Sequence, residues 1–110
     1  MGLSTSPRAA LTAICKALSL EVAVDNVTLN NLLPERFETE RQTFMAERMS
    51  KSEGISLDDA RARIAESIAA KRMGKPEEFG AACVFLCSVQ AGYISGQNLQ
   101  LDGGSYRGLV

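Results

Sequence analysis

Histidine and tryptophan are absent from this chain of 110 residues, and cysteine is scarce, with Cys15, Cys83 and Cys87 as its three residues. An odd number of cysteines without clustered spacing is not the pattern of a zinc site or a disulfide framework. Cys83 and Cys87 lie one predicted helical turn apart, so they could offer two thiolates to a metal ion or a partner. Because no histidine or acidic group accompanies them, we predict that they are small apolar residues of the core.

Long apolar segments and basic clusters are also missing. No apolar run approaches the roughly 20 residues that a membrane-spanning helix requires, and no signal peptide opens the chain. The net charge is −1 and no basic cluster is longer than a pair, so neither nucleic acid nor a membrane is an expected partner. We expect a cytoplasmic protein of one domain at most, because a chain of this length buries only a modest core.

The clearest local signals lie in the segment 72–104. Gly74 and Pro76 interrupt the chain, and the two glutamates after Pro76 suit the first turn of a helix. Apolar residues at three- and four-residue spacing then predict a helix over 76–88. After a glycine-marked loop, alternating leucines predict a strand over 97–102, which an Asp-Gly-Gly turn ends.

Four short motifs in this segment follow one another at workable spacing. They are RMGKPEE (72–78), FLCS (85–88), YISGQ (93–97) and LDGG (101–104). Together they resemble the carboxy-terminal signature of the short-chain dehydrogenase/reductases, especially members of the 3-oxoacyl-[acyl-carrier-protein] reductase type. The resemblance implies an α/β fold, here the C-terminal fragment of a Rossmann-type doubly wound parallel sheet with two strands and about four helices. It also implies NAD or NADP as the cofactor of the parent family.

The amino-terminal part predicts one helix and one strand. Ser6 and Pro7 suit an N-cap and a first turn, and apolar residues at helical spacing predict a helix over 7–24. The segment Val27–Leu33 has the β-branched and apolar residues of a strand, which Pro34 would stop. Because two strands joined through helices are normally parallel, we expect this strand to pair in parallel with the later one.

The resemblance assigns the family's catalytic positions to the start of the first helix. In the family, a tyrosine exchanges a proton with the substrate oxygen, and a lysine four residues later lowers its pKa and holds the ribose. Here Ser4 and Arg8 occupy the tyrosine and lysine positions. A serine hydroxyl without a base cannot replace the tyrosine near neutral pH, and arginine does not release its proton. We therefore expect no intact catalytic pair.

The residues after the first predicted strand resemble the family's loop beside the nicotinamide end of the cofactor. Pro34, Phe37 and Thr39 match positions of that loop, and the resemblance implies that they are remnants of a cofactor-binding site. Glu35 stands where the family has glycine. It places a side chain and a charge where the backbone would approach the cofactor.

The glycine-rich turn G-x-G-x-x-G, which holds the pyrophosphate in dinucleotide-binding folds, is absent from this chain. The resemblance therefore covers nearly all of this chain but only the carboxy-terminal part of a family member. We expect that the isolated chain binds no nicotinamide cofactor, and we predict no metal site.

The sequence pattern of the segment 36–72 predicts two helices. Apolar residues beginning with Phe37 indicate one amphipathic helix that ends within 51–54, and Ser56 with Asp59 resembles a capping box that starts a second. In the family, helices at this place form a lid over the substrate. A pair of helices that only covers the core is an equally good interpretation.

Two strands alone leave a sheet edge and apolar helix faces uncovered. We therefore expect a homo-oligomer, a dimer or tetramer, through helix 7–24 and through helix 76–88 with strand 97–102. The resemblance implies the same surfaces. We expect residues 1–110 to form a single partial domain. Two functions stay open: the C-terminal portion of an NAD(P)-dependent oxidoreductase, inactive as the isolated chain, or a noncatalytic oligomerising scaffold or relic of that family.

Overall fold

Four α-helices and two β-strands form in the order helix, strand, three helices, strand. The computed structural model describes residues 2–109, and the side chains of residues 5–109. The elements are α1 (Gly2–Val22), β1 (Asn31–Pro34), α2 (Glu40–Glu53), α3 (Leu57–Glu66), α4 (Pro76–Leu86) and β2 (Asn98–Leu101). This order confirms the predicted α/β class with two strands and four helices. None of the described helices combines the length and apolarity that crossing a membrane requires.

Helix α1 begins earlier than the sequence predicts. It starts at Gly2, so Pro7 lies inside the helix and Ser6 is not its N-cap. Proline has a helical φ but no N–H to donate to the carbonyl four residues earlier, so the helix loses one backbone hydrogen bond there. The predicted start was wrong because the preference of proline for a first turn does not prevent a helix from continuing through it at the cost of one hydrogen bond. After α1, Asn26 adopts a left-handed φ of 59° and closes a 3-10 turn.

Strand β1 is shorter than the predicted segment 27–33 and includes Pro34. The residues before it do not form regular strand, because a neighbouring loop satisfies their polar groups. The N–H of Leu29 donates to the hydroxyl of Ser95 at 3.2 Å, and its carbonyl accepts the N–H of Gly96 at 2.8 Å. A side chain thus replaces one of the backbone partners that a longer strand would use.

The side chain of Asn30, the residue directly before β1, bonds to the same loop. Its Nδ2 donates to the carbonyl of Ile94 at 2.8 Å, and its Oδ1 accepts the N–H of Gln97 at 3.1 Å. One amide therefore satisfies a donor and an acceptor of the loop just before β2 begins. This fixes where β2 starts relative to β1.

The two strands form a parallel sheet, as the sequence predicts. The N–H of Asn31 donates to the carbonyl of Gln97 at 2.9 Å, and the N–H of Glu35 donates to the carbonyl of Leu101 at 3.0 Å. Both strands advance in the same direction between these two bonds, which is the pattern of parallel pairing.

A small apolar core lies between α2 and α3. Gly54 ends α2 with a φ of 65°, and the Oγ of Ser56 caps α3 by accepting the N–H of Asp59 at 3.0 Å, which confirms the predicted helix start. Small residues at the contact let the two helices approach closely. The buried residues are Ala46, Ala60 and Ile64, with Met49, Ile55 and Met73 packed around them.

Phe37 lies outside the helix that the sequence assigns to it. Helix α2 starts at Glu40, and Arg36 has a positive φ of 56°, so the chain turns before the helix begins. Phe37 instead forms a parallel bridge with Gly74. The prediction was wrong because helical spacing of apolar residues does not reveal a left-handed turn at a residue other than glycine.

Helix α4 starts at Pro76, as predicted, but ends at Leu86 rather than at 88. The N–H of Ser88 donates to the carbonyl of Phe85 at 3.0 Å, so the last turn tightens into 3-10 geometry. No described residue of α4 is buried. The prediction that Cys83 and Cys87 are core residues is therefore wrong, since both are exposed. Periodicity identifies an apolar face but not whether anything covers it.

The chain divides into two compact units. The first contains Met1–Leu33 and Ala82–Leu99, and the second contains Pro34–Ala81 and Gln100–Val110. The α2–α3 core and the loop that follows β1 belong to the second unit. Helix α1 and the loop held by Asn30 belong to the first.

We predict that Ser56→Ala lowers the free energy of unfolding by about 1 kcal/mol, because the N–H of Asp59 loses its side-chain acceptor. Urea unfolding followed by circular dichroism measures the change. Ser52→Ala is the matched control, because the exposed Ser52 hydroxyl only donates back to the carbonyl of Met49 in its own helix. An equal effect of both substitutions would contradict the assigned cap.

Candidate functional site

The loop after β1 carries the three residues predicted as cofactor-site remnants. Pro34 is the exposed last residue of β1, and Thr39 directly precedes α2. Phe37 lies between them, and the three belong to one compact unit. The structure therefore brings Pro34, Phe37 and Thr39 together in a single connection between a strand and a helix.

Phe37 is held by packing. The N–H of Gly74 donates to the carbonyl of Arg36 at 3.1 Å, which brings the two segments side by side. The Phe37 ring lies edge-on to that of Phe79, with centroids 6.0 Å apart and planes at 87°. A Cβ at Gly74 would come within 2.8 Å of the Phe37 ring, so only glycine fits there without a shift. In this structure Phe37 anchors the loop.

Thr39 is the N-cap of α2, but its side chain makes no capping hydrogen bond. Its carbonyl accepts the N–H groups of Gln42 at 2.9 Å and Thr43 at 3.1 Å. The residue lines an open groove of about 740 Å³ that α3 also borders, where cationic Arg61 and Lys71 lie with acidic residues. Thr39 thus presents an exposed hydroxyl at the start of a helix, in a groove of mixed charge.

Glu35, which stands in the position of the family's glycine, is paired with its neighbour. Its carboxylate lies 3.3 Å from the Nε of Arg36, and Arg36 also donates to the hydroxyl of Ser67 at 2.6 Å. The charge expected from Glu35 is therefore partly balanced within the loop. Sequence reasoning missed Arg36, since neither its left-handed backbone nor its contact with a residue 31 positions later has a local signal.

The predicted catalytic positions lie in α1. Arg8 is exposed, and its carbonyl accepts the hydroxyl of Thr12 at 3.0 Å. The side chain of Ser4 lies outside the described residues. Arg8 and the loop with Thr39 belong to different compact units. The assignment of Ser4 and Arg8 to the tyrosine and lysine positions stays a prediction.

An ion pair that the sequence did not reveal fixes the start of α4. Arg72 donates to both carboxylate oxygens of Glu78, at 2.8 and 2.7 Å, and the N–H of Lys75 donates to Glu78 at 2.8 Å. The Arg72 hydrogen bond, followed by that of the Lys75 N–H, lowers the pKa of Glu78 to about 2. The Glu78 carboxylate in turn raises the pKa of Arg72. The pair borders a small cleft of about 240 Å³ with Phe37 and Gly74.

Asp102, the buried residue directly after β2, stabilises the turn that follows the strand. Its carboxylate accepts the N–H groups of Gly104 at 2.9 Å and Tyr106 at 2.7 Å, while only 8% of the residue is exposed. Gly103 has a φ of 62°, and a Cβ there would meet Ile68 at 2.8 Å. The LDGG motif is therefore a structural turn in this chain.

The part of the chain that the structure describes contains no group of three or more histidine, cysteine or acidic side chains able to hold a metal ion. Its candidate site thus consists of a loop and a groove. Their chemistry rests on hydroxyl, carboxylate and guanidinium groups.

Comparison with known proteins places this geometry in a family. A family model described as enoyl-(acyl carrier protein) reductase matches residues 3–106. The chain belongs to the short-chain dehydrogenase/reductase family. Among its relatives, the NADPH-dependent reductase BacG of Bacillus subtilis is 39% identical over 101 residues, which are 92% of this chain and 39% of BacG. The 3-oxoacyl-[acyl-carrier-protein] reductase FabG of Vibrio harveyi is 35% identical over 99 residues, 90% of this chain and 36% of FabG.

Solved structures of the short-chain dehydrogenase/reductase family match as well. YwfH, an NADPH-dependent reductase involved in bacilysin biosynthesis, has a TM-score of 0.81 and 37% identity over 92% of this chain and 38% of its own. L-sorbose reductase from Gluconobacter frateurii, in complex with NADPH and L-sorbose, has a TM-score of 0.82 and 33% identity over 92% of this chain and 39% of its own. These matches confirm the predicted fragment of a Rossmann-type sheet. The chain spans about two fifths of the length of the curated relatives it matches.

We predict that Glu78→Gln removes an acid-dependent part of the stability. Because the folded-state pKa of Glu78 is lowered from 4.5 to about 2, its ionised form stabilises the fold above pH 4.5, and this contribution is lost as the pH falls from there towards 2. The difference in unfolding free energy between the unsubstituted chain and the variant should therefore be largest near neutral pH and shrink by about pH 3. Urea unfolding at several pH values measures it.

Glu77→Gln is the control for this experiment. Glu77 lies in the same first turn of α4 but makes no ion pair in the region covered by the structure. A pH-independent difference for Glu78→Gln, or an equal pH dependence for both variants, would contradict the Arg72–Glu78 pair.

Proposed function

We propose that this chain is the C-terminal portion of an NAD(P)-dependent short-chain oxidoreductase of the 3-oxoacyl-ACP reductase-like type, and that the isolated chain is inactive. The observation that carries the proposal is the partial match: 92% of this chain aligns with only 39% of a named NADPH-dependent reductase. A relative solved with NADPH and L-sorbose supports NAD or NADP as the parent cofactor.

Pro34, Phe37 and Thr39 are proposed as the remnant of the nicotinamide-side loop. Their position between a strand end and a helix start supports this role, because ligands of open α/β sheets bind outside the carboxyl ends of the strands. Thr39 has an exposed hydroxyl that makes no capping bond. Phe37 would act by positioning the loop, since its ring packs on Phe79.

Two deficits support inactivity of the isolated chain. The glycine-rich turn that binds pyrophosphate is absent from the 110 residues. Ser4 and Arg8 are proposed to stand in the catalytic tyrosine and lysine positions. Neither can supply the proton transfer, because a serine without a base is a poor acid and arginine holds its proton. The cofactor and the chemistry would therefore both need residues that this polypeptide does not have.

We expect no saturable binding of NADH or NADPH to the 110-residue chain up to about 1 mM, the upper part of the usual KM range. Calorimetry and cofactor fluorescence measure this. Intact BacG is the positive control. Saturable binding to the isolated chain would overturn the claim that it cannot hold the cofactor.

A chimera tests the catalytic positions. The part of BacG that precedes its match to this chain is joined to this chain, with or without the double substitution Ser4→Tyr and Arg8→Lys. We expect both chimeras to bind NADPH, and only the substituted one to reduce the substrate of intact BacG, by at least about 100-fold over the other. Equal activity of the two chimeras would contradict the assignment of Ser4 and Arg8.

A noncatalytic oligomerising scaffold or relic is the second candidate, and the exposed apolar faces of two helices favour it. On α1, Leu11, Ile14 and Leu18 lie on one side and are 59%, 63% and 42% exposed. On α4, Val84 and Phe85 are exposed. Apolar patches of this kind mark association surfaces. We propose association into a dimer or tetramer through α1 and through α4 with β2.

We predict that Ile14→Glu shifts the chain towards monomer in sedimentation velocity at micromolar concentration, because a charge would be buried in the interface. Leu20→Glu is the matched control, since Leu20 is 71% exposed but lies on the opposite side of α1 from Leu11. A monomeric unsubstituted chain would defeat this candidate, and so would equal dissociation by both variants.

A further inference from the structure

Cys83 of α4 and Cys87, the first residue after α4, form an exposed pair of thiols. The N–H of Cys87 donates to the carbonyl of Cys83 at 3.0 Å, so Cys87 continues the helical turn. Both are exposed and neither is in a disulfide. Residues four positions apart on a helix are neighbours on its surface, with Cβ atoms about 5–6 Å apart. Successive residues turn by about 100°, so Phe85 points to the side of the helix opposite the two cysteines, whereas Val84 lies on the flank next to Cys87. Association through the Phe85 side of α4 would therefore leave the two thiols accessible.

Both cysteines line one cleft of about 680 Å³. The cleft lies within a single compact unit, between the end of α4 and the segment that leads into β1. Leu32 and Leu86 form part of its wall, and Asn30 also lines it. None of its lining residues carries a charge. The thiols thus share a concave, uncharged and partly apolar surface.

The composition of this cleft selects against the usual protein-bound metal ions. Structural zinc requires four ligands, and catalytic zinc requires three from the protein. The described residues contain no group of three potential ligands, and the cleft offers two thiols without histidine or carboxylate. Two adjacent thiols suit instead a soft centre that forms two bonds to sulfur and carries an apolar substituent.

We propose that Cys83 and Cys87 form a bidentate dithiol site for monosubstituted trivalent arsenicals. The arsenical R–As=O condenses with both thiols to give R–As(S–)₂ and one water. Two As–S bonds form and two S–H bonds break. The two protons leave with the arsenical oxygen, and neither arsenic nor sulfur changes oxidation state. The organic substituent R would lie against the apolar wall of the cleft.

The cyclic product gives the site its selectivity over a single thiol. Once the first As–S bond has formed, the second is intramolecular, with an effective thiol concentration on the order of millimolar or higher. A competing monothiol must exceed that concentration to open the ring. A dithiol reagent forms a ring of its own and can remove the arsenical.

Phenylarsine oxide and intact-mass spectrometry test the proposal on the full chain, reduced beforehand. We expect one phenylarsenic adduct per chain that survives washing with a monothiol and is released by 2,3-dimercaptopropanol. For Cys83→Ser and Cys87→Ser, at least about tenfold less monothiol should strip the adduct, because each has lost the ring. Circular dichroism verifies that each variant is folded.

Cys15→Ser is the matched control, because Cys15 is a half-buried single thiol in α1. It should retain the adduct as the unsubstituted chain does. The proposal would be overturned if the same monothiol concentration removed the phenylarsenic adduct from the unsubstituted chain and from the single variants at Cys83 and Cys87. It would also be overturned if Cys15→Ser lost the adduct on washing with the monothiol.

Discussion

The parallel pairing of β1 and β2 is the constraint on which the rest of the structure depends. Residues 31 and 35 bond to residues 97 and 101, so all three later helices lie within one crossover between the strands. Parallel strands cannot be joined by a short turn and need a long crossover connection, which these helices provide. The Asn30 amide reinforces this pairing, because it bonds to two backbone groups just before β2.

A two-stranded sheet cannot bury the helices that flank it. Within the described residues, the apolar cluster between α2 and α3 has three buried members, two of them alanines, while α4 has no buried residue. The match to relatives is correspondingly partial, since about three fifths of BacG lies outside the part that this chain matches. Exposed apolar side chains on α1 and α4 and the exposed thiols of Cys83 and Cys87 accompany this partial match.

In the loop after β1, one residue is exposed as in a binding site and another is packed as in a structural connection. Thr39 is exposed at a helix start, whereas Phe37 is engaged with Gly74 and Phe79. The Arg72–Glu78 pair fixes the beginning of α4 near the packed ring of Phe37. Glu35 and Arg36 in the loop are thus paired with each other, as are Arg72 and Glu78 beside it.

The amino-acid sequence by itself determined the class of each element, the parallel pairing, the cap at Ser56 and the family, because these depend on spacing and turn residues within short segments. It also determined that these 110 residues contain no glycine-rich turn of the form G-x-G-x-x-G. Only the tertiary structure decided the left-handed turn at Arg36, the contacts of Asn30 and the Arg72–Glu78 geometry. It likewise decided that Cys83 and Cys87 are exposed. These features depend on contacts between residues that are distant in the sequence and on side-chain orientation. The periodicity of apolar residues identifies the apolar face of a helix but does not show whether another element covers that face.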